Sequence, residues 1–115
     1  AAAHAVHNGL TVLEASHQFY HGEKVAFGTL VQLVLEDAPT EEIEEVVDFC
    51  LDVDLPVCLE DIGIIDPKPE EIMAVAEATC VPSETIHSMP FEVTADKVYA
   101  AIMGADALGR FYKDK

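Results

Sequence analysis

The stretch EKVAFGTLVQLVL, Glu23 to Leu35, decides the architecture. From Val25 to Leu35 only Gly28, Thr29 and Gln32 interrupt an apolar run. At helical pitch that run has no polar face, and a helix apolar all round is buried on all sides. In a chain of 115 residues it is expected to be the central element, with Gly28 letting a neighbour close in. It is too short and too interrupted to span a bilayer. Asp37-Ala38-Pro39 is expected to end it.

Downstream the periodicity is helical throughout. Thr40 is placed to cap the next helix, with Glu41 and Glu42 complementing the dipole in its first turn. Ile43, Val46, Val47, Cys50 and Leu51 fall at i, i+3, i+4, i+7 and i+8, one apolar stripe. Glu41, Glu42, Glu44, Glu45, Asp48 and Asp52 take the opposite side, which reads as a solvated face and not a metal site. Leu55-Pro56 closes the helix, and Val57 to Ile65 reads as a loop with a short helical turn. Pro67, Pro69, Glu70 and Glu71 start a further helix, with Ile72, Val75, Ala76 and Thr79 as its buried stripe. Pro82-Ser83 breaks the chain, and Ser83 is expected to cap a turn holding His87. Thr94 caps a last helix whose inward face is Val98, Ala101, Ile102 and Ala105. Ala100, Gly104 and Ala105 suit close helix packing. No strand pattern, repeat or low-complexity segment is present, so residues 1–115 are expected to form one all-α domain of five or six helices.

Composition narrows the function. Half of the residues are apolar, as in a globular domain. A net charge of −16 repels phosphate backbones and anionic membranes, which argues against nucleic acid and membrane as partners. Cys50, Cys58 and Cys80 are odd in number and spaced for neither a disulfide framework nor a zinc finger. Cys50 sits on an apolar helix face as a small core residue. With no signal-peptide pattern, a reducing, cytoplasmic compartment is expected. The chain begins AAAH, without an initiator methionine and within a helical pattern, as a fragment would.

Upstream of the apolar helix, HAVHNGLTVLEASHQFYHGEK carries His4, His7, His17 and His21, four of the chain's five histidines. Imidazole is the commonest metal ligand and titrates near neutrality. His4 and His7 lie at i and i+3, His17 and His21 at i and i+4, so each pair shares a helix face. Asn8-Gly9 breaks the helix between the pairs and lets two segments converge. Three protein ligands and one open position make a catalytic zinc site. There is no HExxH and no CxxC, so spacing leaves open which histidines bind, and whether they bind or are packed.

The words HAVHNGL and YHGEKVAFGTL resemble the iron-containing alcohol dehydrogenase family, and within it the glycerol-oxidising members. Weaker similarity runs on through EEIEEVVDFC, LDVDLPVCLEDIGI, VAEATC, ETIHSMP and KVYAAIMGADALG, so it covers essentially the whole chain. The resemblance implies two domains in the complete protein, an N-terminal α/β domain that binds NAD and a C-terminal helical domain to which this chain corresponds. It implies a zinc ion held by one aspartate and two histidines. The histidines match His4 and His21, while the aspartate belongs to an earlier part of the family's chain. A further histidine lies near the nicotinamide in wider relatives; His7 is one residue short of that spacing and is a candidate to line the substrate site.

The implied activity is oxidation of glycerol, or a similar small polyol, to the ketone by hydride transfer to NAD, with the metal lowering the pKa of the reacting hydroxyl. No GxGxxG or other phosphate-cradling loop occurs here, so NAD is expected to bind mainly on the N-terminal domain, and the isolated chain is expected to be inactive. A homo-oligomer is expected, with the apolar helix open equally to a second subunit or to the N-terminal domain as its packing partner. The alternative is a helical metal-binding or oligomerisation module without catalysis.

Overall fold

The computed structural model describes residues 21–65, 68–80 and 94–114, with the side chains of residues 21–24 left aside. Four α-helices follow in order: α1 His21–Leu35, α2 Thr40–Asp52, α3 Pro69–Thr79 and α4 Ala95–Lys113. One 3₁₀ turn, Glu60–Ile62, lies between α2 and α3. Among the described residues there is no strand, and the all-α reading holds.

The stripes that periodicity marked are the faces that pack. Ile43, Val47 and Cys50 of α2 are buried, with Val46 and Leu51 half-buried at the margin. Glu41, Glu42, Glu45, Asp48 and Asp52 are exposed on the far side. α3 buries Ile72, Val75, Ala76 and Thr79. α4 buries Val98, Ala101, Ile102 and Ala105, and the same stripe continues through Asp106 and Gly109.

Helix ends follow local chemistry, with one correction. Thr94 caps α4, its hydroxyl oxygen accepting from the Lys97 N–H at 3.3 Å. Pro69 opens α3, and Glu71 turns back to accept from the Lys68 N–H at 2.9 Å. Thr40 does not cap α2: it is the first helical residue and makes no capping bond. Pro39 holds the cap position at φ −57°, ψ 143°, and its carbonyl accepts from the Glu42 and Ile43 N–H groups at 3.0 and 3.2 Å. The proline ring fixes φ at the helix entrance, and the start of α2 has no side-chain cap.

α1 and α2 stop in the same way. Ala38 N–H reaches the Leu33 carbonyl at 3.0 Å and Asp37 N–H the Val34 carbonyl at 3.1 Å. Leu55 N–H reaches Cys50 at 2.7 Å and Asp54 N–H reaches Leu51 at 3.4 Å. These are Schellman closures, which need a left-handed residue just past the helix. Asp37 (φ 57°) and Asp54 (φ 59°) supply it where glycine is usual.

Among the described residues the most widely packed helix is α4 and not α1, the element expected at the centre. α4 packs against α1, α2 and α3, most broadly against α1 and α3. α1 buries Phe27, Leu30, Val31 and Leu33, but Val25, Ala26, Thr29, Gln32, Val34 and Leu35 are only half-buried. Small residues explain the difference. Gly104 of α4 lets Val34 approach until a Cβ there would stand 3.3 Å from its Cγ1. A helix lined with alanine and glycine admits three neighbours where a bulky apolar one does not.

The connection from Pro56 to Ile64 has little regular structure, yet Pro56, Val57, Cys58, Leu59, Ile62 and Ile64 are all buried. Gly63, at φ 85°, turns the chain out of the 3₁₀ turn.

Candidate functional site

The histidine-rich stretch runs into α1, and His21 is the first residue of that helix. Its main chain is therefore carried by an element fixed at Phe27, Leu30 and Val31, each at most 1% exposed. Side chains so placed hold a helix to its neighbours through dispersion and burial, each contributing about 1.5–3 kcal/mol. The side chain of His21 lies outside the described residues, as do His4, His7, His17 and His87 with their surroundings. Among the described residues no group of three His, Cys, Asp or Glu side chains comes together to hold a metal.

The polar construction that is described joins the Pro56–Ile64 loop to the last turns of α4. Asp106, 7% exposed, accepts from the Leu59 N–H at 2.8 Å through Oδ1 and from Arg110 Nε at 3.1 Å through Oδ2. Arg110 also stands 4.0 Å from the Glu60 carboxylate. Asp61 accepts from the Val57 N–H at 3.1 Å and from Lys113 Nζ at 2.5 Å. Burial alone would raise the Asp61 carboxyl, but the Lys113 ammonium, the Val57 N–H and the Cys58 thiol outweigh it and hold it below the ordinary range.

Nothing in this arrangement is poised for chemistry. Asp106 and Asp61 are each committed to a backbone N–H and a cation, which is how a fold satisfies buried main chain. Burial pushes the Cys50, Cys58 and Cys80 thiols up, so they stay protonated and poorly nucleophilic. None of the three is in a disulfide, and Cys50 lies in the core as its stripe position implied. Two depressions flank α4, one of about 230 Å³ lined by Leu51, Leu55, Pro56, Asp61 and Lys113. The other, of about 260 Å³, is lined by Val34, Leu35, Lys97, Ala100 and Ala101. Both fall short of the roughly 300 Å³ at which small-molecule sites begin.

Sequence reading missed Asp106 and Gly109. A signal for the first was present, since Asp106 stands eight residues after Val98 on the buried stripe, with Arg110 four residues further on. A carboxylate at an inward position with a cation at i+4 marks a buried polar anchor.

No family model matches the chain. Individual relatives do. It is 60% identical over 110 residues to the glycerol dehydrogenase of Citrobacter freundii, a match covering 96% of this chain and 30% of that enzyme. It is 49% identical over 115 residues to the glycolaldehyde reductase of Halobacterium salinarum, across 100% of this chain and 32% of that protein. Among solved structures, glycerol dehydrogenase from Schizosaccharomyces pombe superposes with a TM-score of 0.95 at 41% identity, covering 99% of this chain and 30% of that one. The chain thus spans about a third of the length of the relatives it matches.

Proposed function

This chain is similar, nearly from end to end, to the C-terminal part of glycerol dehydrogenases, and from that similarity we propose that it forms the helical part of an NAD-dependent polyol dehydrogenase. Glycerol, or a related small polyol, is the substrate. The observation that carries this reading is the 60% identity to a glycerol dehydrogenase over 96% of the chain. The reductase relative from Halobacterium widens the range to other small hydroxylated substrates.

His4 and His21 are proposed as the ligands this chain gives to a zinc ion. The donor chemistry fits, because neutral imidazole suits zinc and two imidazoles leave room for an anionic ligand and substrate oxygen. That α1 is held by buried contacts supports His21 as a ligand, since its backbone is fixed from within the domain. A carboxylate from another part of the complete protein makes the third ligand. When bound, zinc polarises a substrate hydroxyl as a Lewis acid and the nicotinamide accepts hydride. His7 is proposed to line the substrate site. The dinucleotide belongs mainly to a domain outside this chain. A cytoplasmic homo-oligomer is the proposed form; the exposure of Phe49, Ile65 and Phe111, at 61%, 70% and 61%, supports further apolar contacts in the complete protein.

The test is His21→Ala in the complete protein, read by bound zinc and by glycerol oxidation with NAD. Both are expected to fall together, and full zinc retention would remove His21 from the site. The 115-residue chain alone, assayed with glycerol, NAD and zinc, is expected to show no turnover.

A further inference from the structure

We infer that the Pro56–Ile64 loop and the last turns of α4 form one detachable unit, which opens together while the rest of the helical bundle stays closed. The loop lies between α2 and α3 in sequence, but among the described residues its long-range polar anchors are on α4. Leu59 N–H is tied to Asp106, 47 residues away, at 2.8 Å. Asp61 is tied to Lys113, 52 residues away, and Glu60 faces Arg110. At Gly109 the fit is so close that a Cβ would collide with the Val57 carbonyl. Backbone with little regular structure of its own loses protection when its side-chain partners leave, because the freed N–H groups have no ladder to return to.

The anchors are ranked by burial. The Lys113–Asp61 pair is partly open, its side chains 41% and 21% exposed, so its loss loosens the unit without releasing it. Asp106 is the pin, because it is 7% exposed and its side chain satisfies the buried Leu59 N–H, which a truncated side chain would leave unanswered. Opening uncovers Cys58, which is 0% exposed when the unit is shut.

The experiment is hydrogen exchange with peptide-level mass spectrometry on the complete protein, with alkylation of Cys58 followed in parallel. In Asp106→Ala the peptides covering residues 57–64 and 106–113 are expected to exchange about 10-fold faster, with Cys58 labelling accelerated by the same factor and residues 72–79 of α3 unchanged. Asp106→Asn keeps an oxygen for the Leu59 N–H and is expected to retain most of the protection. Lys113→Ala, which removes only the outer tie, is expected to accelerate both segments about 2-fold. Should Asp106→Ala not fold, the Asn and Lys113 variants read the same coupling. Faster exchange at residues 57–64 with none at 106–113, or an equal rise in α3, would overturn the inference.

Discussion

The Pro56–Ile64 loop and helix α2, which precedes it, solve the same problem in opposite ways. α2 satisfies its backbone internally, so it needs burial on one side only and leaves five carboxylates in solvent. The loop has one 3₁₀ turn of its own, yet it is buried over most of its length. Its later N–H groups, from Asp61 to Ile64, reach carbonyls of the loop itself, but those of Val57 and Leu59 are answered by side chains, Asp61 within the loop and Asp106 on α4. Regular structure buys freedom at the surface; irregular structure in the interior requires named side-chain partners. The loop should therefore fail through single atoms, and α2 through lost volume.

The sharpest break is Gly109→Ala. In an ordinary helix interior that change adds about 1 kcal/mol of stability. Here the new methyl meets the Val57 carbonyl, a backbone group that cannot rotate aside, and a net loss of about 3 kcal/mol is expected by chemical denaturation. Stabilisation would mean the loop yields, and the contrast with α2 would dissolve. On the α2 side, Ile43→Ala is expected to cost about 2 kcal/mol through the cavity it leaves, at the low end because Ile43 is 7% exposed.

Acid separates the two regions further. The Asp61 carboxyl is held below its ordinary range, facing Lys113 from α4 and Val57 N–H and Cys58 from its own loop. A depressed pKa in the folded state means its contribution is complete above the unfolded value, near pH 4, and is lost as pH falls through the folded one. Asp61→Ala should cost about 1 kcal/mol at pH 7 and progressively less below about pH 4, followed by urea midpoints across pH. The smallest effect belongs to the outer face of α2. Asp52 lies in the last turn, where negative charge opposes the dipole, and four residues from Asp48. Asp52→Asn should raise stability by about 0.3 kcal/mol, visible as a slight rise in thermal midpoint.

Those regions were unequally legible in the sequence. The stripes of α2, α3 and α4 follow from period alone, because burial of one helix face is a local arithmetic. So were the stop at Asp37-Ala38-Pro39 and the cap at Thr94. A hydroxyl before an acidic turn reads as a cap, but the helix begins one residue earlier than that reading allows, with Pro39 at the cap position and no side-chain capping bond. Hydrophobicity placed α1 at the centre; among the described residues α4 packs most widely, and its small residues let neighbours approach. Asp106 and Leu59 meet across 47 residues, and nothing in either neighbourhood names the other. The histidines were legible only as words resembling a family, and the geometry of His4, His7 and His17 lies outside the described residues.

The exposed carboxylates of α2 also make the protein a polyelectrolyte. Glu41 and Glu45, Glu45 and Asp48, and Asp48 and Asp52 are like charges three or four residues apart, and the helix itself contains no basic residue. Folding draws these charges, and most of a net −16, into a smaller volume than the open chain occupies. In dilute buffer their fields reach roughly 30 Å; in molar salt, roughly 3 Å. Mobile cations therefore act as a diffuse ligand of the folded form. The fold is expected to gain thermal tolerance as salt is added, even as the same ions weaken the Lys113–Asp61 tie.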